Sequence, residues 1–140
     1  NKIPVDSLNF IKLNNLKRLI LVQIELNPND SIKLLYNLNL LEEINLSNND
    51  FRRDDGIFFP NSENLKILIL RHCNLKKIDS NFLNFSYFPQ LIYLDLSFNE
   101  IYLIDTILIF DSLNFLILSH NNLTELNIKE SYEIFHIDLS

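Results

Sequence analysis

Leu91 to Ile101 reads LIYLDLSFNEI. Leu91, Leu94 and Leu96 hold its first, fourth and sixth positions, Asn99 the ninth and Ile101 the eleventh. Around Leu94 and Leu96 the apolar period is two. In a strand this sends the leucines to one face and Tyr93 and Asp95 to the other. A single strand of this kind buries its apolar face only against further layers or further copies of itself.

The copies are present. Upstream lie Leu65 to Leu75 (LKILILRHCNL), Leu41 to Phe51 (LEEINLSNNDF) and Leu16 to Leu26 (LKRLILVQIEL). Downstream lies Leu113 to Leu123 (LNFLILSHNNL), and a sixth copy, IFHIDLS, runs from Ile134 to Ser140. Starts at 16, 41, 65, 91, 113 and 134 give periods of 25, 24, 26, 22 and 21 residues. Equivalent strands in successive repeats run parallel, so each needs a crossover to return, and about ten residues per repeat remain for it. That length predicts short helical turns, loops or extended segments rather than long helices.

The shared form, L-x-x-L-x-L-x-x-N-x-L, resembles the leucine-rich-repeat superfamily over essentially the whole chain. The resemblance implies an α/β-type solenoid. Its parallel sheet would line a concave face, with short helical turns or loops on the convex face. It also gives the ninth position a role, in which a side chain turns inward and bonds the main chain of the turn after the strand. That position reads Ile24, Asn49, Cys73, Asn99 and Asn121. Asn49, Cys73, Asn99 and Asn121 therefore form the expected structural turn ladder, the Cys73 thiol donating weakly. Ile24 breaks the pattern, so the first turn must be closed another way.

Composition agrees with a repeat array. Hydrophobic residues make up 47% of the 140, charged residues 21%, and there is one glycine, Gly56. Asn takes over as the turn former. The net charge of −6, with Arg52-Arg53 followed at once by Asp54-Asp55, speaks against a nucleic-acid or anionic-membrane partner. No apolar run is long enough to span a bilayer, so no direct membrane contact is expected from this segment. A single cysteine allows no internal disulfide. Residues 1–140 read as one repeat domain of about five full repeats with partial repeats at both ends. Leu8-Asn9-Phe10 and Leu83-Asn84-Phe85 stand at matching offsets before Leu16 and Leu91. The first segment thus reads as the convex half of an earlier repeat, in a longer chain.

In the resembled family, partners bind the concave face. The third position supplies Arg18, Glu43, Ile67, Tyr93, Phe115 and His136; the fifth, Ile20, Asn45, Ile69, Asp95, Ile117 and Asp138. The seventh supplies Val22, Ser47, Arg71, Ser97, Ser119 and Ser140; the eighth, Gln23, Asn48, His72, Phe98 and His120. The candidate partner-binding residues are Ile67, Ile69, Arg71, Tyr93, Asp95, Phe98, Phe115, Ile117 and His120. Their apolar and aromatic members form a patch of the kind that marks protein contacts, or one that a neighbouring loop covers. Glu43, Asn45, Arg71, Asp95, His120, His136 and Asp138 form either its polar rim or a plain solvated face.

Candidates for chemistry are weak. His72-Cys73 points to opposite sides of a strand and lacks the further ligands of a zinc site. Asp95 and Asp138, two strands apart at roughly 10 Å, have Ile117 between them. His120 and His136 could sense pH but read more simply as solvated. No catalytic residue, metal or cofactor is expected, nor enzyme activity from this segment. Four N-x-S/T sequons begin at Asn29, Asn45, Asn84 and Asn122.

The expected function is recognition of a protein partner, as in a receptor, adhesion or immune-recognition ectodomain. An intracellular scaffold or regulatory subunit is the alternative, and a substrate-selecting region of an enzyme whose catalytic domain lies elsewhere is a third. The L-S-x-N phrases (Leu46 to Asn49, Leu96 to Asn99, Leu118 to Asn121) lean the resemblance toward a secreted or cell-surface location.

Overall fold

The computed structural model describes residues 15–26, 38–52, 62–79, 87–105, 112–126 and 136–140. The two Leu-Asn-Phe segments, Gly56, Asn29 and Asn84 lie outside them.

The chain is a parallel-strand β-solenoid. Its strands are β1 (Arg18–Ile20), β2 (Glu43–Asn45), β3 (Ile67–Ile69), β4 (Lys77–Asp79), β5 (Tyr93–Asp95), β6 (Leu103–Asp105), β7 (Phe115–Ile117) and β8 (His136–Asp138). Strands β1, β2, β3, β5, β7 and β8 form one six-stranded parallel sheet in that order. Its register runs Arg18–Glu43–Ile67–Tyr93–Phe115–His136 along the third position and Ile20–Asn45–Ile69–Asp95–Ile117–Asp138 along the fifth. These are the columns the repeat spacing requires.

The main-chain ladder extends beyond the three-residue strands. The N–H of each sixth-position residue reaches the fifth-position carbonyl of the next repeat, from Leu21→Asn45 to Leu118→Asp138, at 2.8–3.0 Å. The eighth-position N–H groups do the same to the seventh-position carbonyls, from Gln23→Ser47 to His120→Ser140. To keep that bond while the chain turns inward, the eighth residue takes a left-handed conformation in every described repeat. Its φ is 56° at Gln23, 59° at Asn48, 51° at His72, 56° at Phe98 and 56° at His120. Of these Asn48, His72 and His120 are types enriched in that region, while Gln23 and Phe98 are not.

The core is built from the repeat's inward positions. Leu41, Leu65, Leu91 and Leu113 at the first, Leu19, Ile44, Leu68, Leu94 and Leu116 at the fourth, and Leu46, Leu70, Leu96 and Leu118 at the sixth are all buried. Leu38, Ser62 and Phe88, each three residues ahead of a repeat, are buried as well, and each accepts a turn bond from the first residue of that repeat.

On the opposite side β4 and β6 pair in parallel, Ile78 against Ile104, with both side chains in the core. The described convex residues contain no α-helix, so the α/β description with helical turns gives way there to extended segments and turns. Leu75 to Asp79 and Ile101 to Asp105 leave the Asn-bonded turn already extended, and pairing with each other takes up backbone groups along one side of each.

Candidate functional site: the outer face of the six-stranded sheet

The turn ladder supports this face from behind. The Asn49 side-chain Nδ2 donates to the carbonyls of Leu46 at 2.8 Å and Leu21 at 2.7 Å, while its Oδ1 accepts from Ile24 N–H at 3.2 Å and Leu26 N–H at 3.1 Å. The turn that Ile24 leaves without its own carboxamide is therefore closed by the next repeat. Asn121 repeats the pattern, donating to Leu96 and Leu118 and accepting from Ile101. Cys73 reproduces only the donor half, its Sγ lying 3.5 Å from the Leu46 carbonyl and 3.3 Å from that of Arg71. The acceptor half is supplied by its backbone, since Phe51 N–H bonds the Cys73 carbonyl at 3.0 Å.

In front, the third and fifth columns set Ile67, Ile69, Tyr93, Phe115 and Ile117 side by side on β3, β5 and β7. Phe115 is exposed, and the other four are half-buried. The Tyr93 and Phe115 rings lie 6.1 Å apart, and His136 follows at 6.3 Å from Phe115.

Phe98 and His120 do not join that cluster in the same way. They sit in the left-handed turn and stack in a separate column, with His72–Phe98 centroids at 4.5 Å and Phe98–His120 at 4.2 Å. The Arg71 guanidinium stands 5.2 Å from the Phe98 ring centroid, a cation–π distance. The structure thus places His120 on Phe98 and His136 on Phe115, each histidine with its own aromatic neighbour.

Asp95 is placed differently from the expectation of an exposed contact. Its residue is buried, and its Oδ1 accepts from Ser97 N–H at 3.0 Å and Ser97 Oγ at 2.6 Å. Its other oxygen lies 3.8 Å from Arg71 Nε. Asp95 therefore positions Arg71 rather than meeting solvent. Asn45 holds Ser47 in the same way, at 3.0 Å to the N–H and 2.7 Å to the hydroxyl, and Asp138 accepts from Ser140 N–H at 3.0 Å. These bonds draw Ser47 and Ser97 out of the exposed face, and Ser119 is buried too. The signal was legible: Asn-Leu-Ser or Asp-Leu-Ser recurs at positions five to seven in Asn45 to Ser47, Asp95 to Ser97 and Asp138 to Ser140. A short acceptor side chain two residues ahead of a free N–H makes this local loop by itself.

Four ion pairs complete the face. Lys17 and Lys66 both reach Glu42, at 2.7 and 2.8 Å; Arg18 reaches Glu43 at 2.9 Å, and Arg71 faces Asp95. The hydrogen bonds from Lys17 and Lys66 and their charges pull the Glu42 carboxyl down to about 2.

Cys73 is fully buried while His72 is exposed, so the pair shares no site. Among the described residues no three His, Cys, Asp or Glu side chains converge as metal ligands would. Of the two described sequons, Asn45 has its side-chain oxygen committed to Ser47, and Asn122 is exposed. Comparisons with protein-family models, with curated proteins and with solved structures found no match to the chain.

Proposed function

We propose that the chain is a leucine-rich-repeat solenoid that binds another protein through the outer face of its six-stranded sheet. The observation that carries this reading is the exposed Phe115 ring flanked by Tyr93, Ile67, Ile69 and Ile117 on three adjacent strands. Apolar surface of this kind, held on a rigid sheet, loses little conformational freedom when a partner covers it. Glu43, Asn45, Arg71, His120 and His136 surround it as a polar rim. The resemblance leans toward receptor, adhesion and immune-recognition roles at a cell surface or outside the cell, with an intracellular scaffold or regulatory subunit as the alternative.

The test is a pull-down from the native source with the full-length chain and its Tyr93→Asp, Phe115→Asp variant, reading bound proteins by mass spectrometry. Loss of a partner by a variant that keeps its melting temperature supports the reading. Identical partners for both chains overturn it.

A further inference from the structure

We infer that the partner meets this face with carboxylate side chains set beside an apolar group, as an acidic protein segment does. The inference rests on the proposed use of the face and specifies the chemistry of what binds there.

The four ion pairs on the face are layered. Side-chain exposure is 72% for Lys17 against 33% for Glu42, 64% for Arg18 against 21% for Glu43, 43% for Lys66 against 33% for Glu42, and 46% for Arg71 against 6% for Asp95. In every pair the carboxylate lies low and the cation stands over it. Long cationic side chains do reach outward in general, and off this face Lys77 and Asp79, at 39% and 27%, keep the same order by a small margin, while two further pairs show none. Arg52 and Asp50 stand at 59% and 58%, and Lys76 and Glu100 at 53% each. The gap is therefore widest on the sheet, at Lys17, Arg18 and Arg71.

Its causes are visible. Glu42 is held between two lysines, and Asp95 is tied down by Ser97. Each ammonium has three donors and each guanidinium five, so the pairing leaves N–H groups facing outward from Lys17, Arg18, Lys66 and Arg71. Against these four cations stand three carboxylates, Glu42, Glu43 and Asp95, all beneath them. What a partner touches on β1 to β3 is a layer of unsaturated cationic donors. What it touches on β5 and β7 is Tyr93, Phe115 and Ile117.

With Asp138 on β8 the face balances four cations against four carboxylates, and the cations gather on its β1 to β3 side, whereas the chain as a whole carries −6. An acidic segment is repelled by the net charge of the molecule and attracted where these cations stand, so orientation comes from the charge pattern. Carboxylates suit the site better than phosphates. The donors are dispersed among aliphatic and aromatic side chains, not gathered into the basic stripe that a nucleic-acid backbone needs.

The test uses fluorescence anisotropy with three labelled probes: a synthetic peptide alternating Glu with Phe and Leu, the same peptide with Lys for Glu, and an oligothymidylate of equal charge. The expected result is binding of the acidic peptide alone, weakened about tenfold or more by Lys66→Gln, Arg71→Gln and unchanged by Arg52→Gln, Lys76→Gln, which removes an equal charge elsewhere. Melting curves check that each variant stays folded, and the single Lys66→Gln variant serves if Arg71→Gln unfolds the chain. Equal binding of the basic peptide, binding of the oligothymidylate, no binding of the acidic peptide, or indifference to the Lys66 and Arg71 changes overturns the inference. A native partner lost by Tyr93→Asp, Phe115→Asp but retained by Lys66→Gln, Arg71→Gln leaves the protein-binding reading standing without the acidic one.

Discussion

The side-chain oxygen of Asn99 accepts the backbone N–H of Cys73, its counterpart in the preceding repeat, at 2.8 Å. The same oxygen takes Leu75 N–H at 3.1 Å, while Nδ2 donates to the carbonyls of Leu70 and Leu96 at 2.8 Å each. One carboxamide thus closes two turns. Replacing it with Ala strands the Cys73 and Leu75 N–H groups and the Leu70 carbonyl in the interior, while the Leu96 carbonyl keeps its bond from Asn121. With unpaired groups costing about 1–3 kcal/mol apiece and partial relaxation recovering some of that, Asn99→Ala should lose about 3 kcal/mol in urea unfolding. Hydrogen exchange should speed up in both turns, at Cys73 and Leu75 as well as around Asn99. Faster exchange confined to the Asn99 turn would show that the two repeats are not coupled through this side chain.

Leu94 and Phe115 occupy adjacent columns of adjacent strands but opposite faces. Leu94 and Leu116 are fully buried, whereas 41% of Phe115 is exposed. Leu94→Ala or Leu116→Ala should each cost about 2–5 kcal/mol, from lost transfer energy and the cavity left behind. Phe115→Asp should shift the melting temperature little. A large loss in the Phe115 variant would mean that the strand register is displaced by one residue.

The repeat period and the alternation around Leu94 and Leu96 were enough to place every strand of the six-stranded sheet and its register, because each strand can bury only one face. The ninth-position Asn residues were equally legible as turn ladders. What they do for the repeat before them was not, since Asn49 bonding Ile24 and Leu26 is a contact across 25 and 23 residues. The outward side of the face was harder to read. Alternation assigns Asp95 and Ser97 to solvent, yet the bonds between their own side chains fold them down against the sheet. Phe98 reads as a member of the apolar patch until the left-handed turn swings it onto His72 and His120. The pairing of Lys77–Asp79 with Leu103–Asp105 carries no repeat-wide signature, because the segments after the turn differ in length and residue type.

Glu42 makes the face sensitive to acid. Hydrogen bonds from Lys17 and Lys66, reinforced by their charges, lower its carboxyl from 4.5 to about 2 in the folded chain. A lowered folded value means that the unfolded chain takes up the proton first. The stabilisation is complete above 4.5 and is lost as pH falls from 4.5 toward about 2. Glu42→Gln cannot titrate, so its melting temperature should fall less steeply than the wild type's across that window. Parallel curves for the two proteins would show that the lysines do not hold Glu42 in solution.

Cys73 should behave as a thiol sealed in the core. Burial pushes it up from 9.0 to about 12, the largest effect on it, and its hydrogen bonds offset only part of that. The thiolate is the reactive form, so the folded protein should resist a thiol-specific disulfide reagent at mildly alkaline pH and react at once when urea unfolds it. The sign of the linkage follows from the raised value. Below 9.0 the group is protonated in both states and the folded chain keeps its full stability. As pH rises from 9.0 toward about 12, only the unfolded chain releases the proton, and stability declines. Cys73→Ala removes the titration and two weak sulfur bonds together. It should cost about 1 kcal/mol at neutral pH, yet flatten the alkaline part of the stability curve. Rapid modification of the native wild-type thiol would show that the third turn opens far more often than its packing implies.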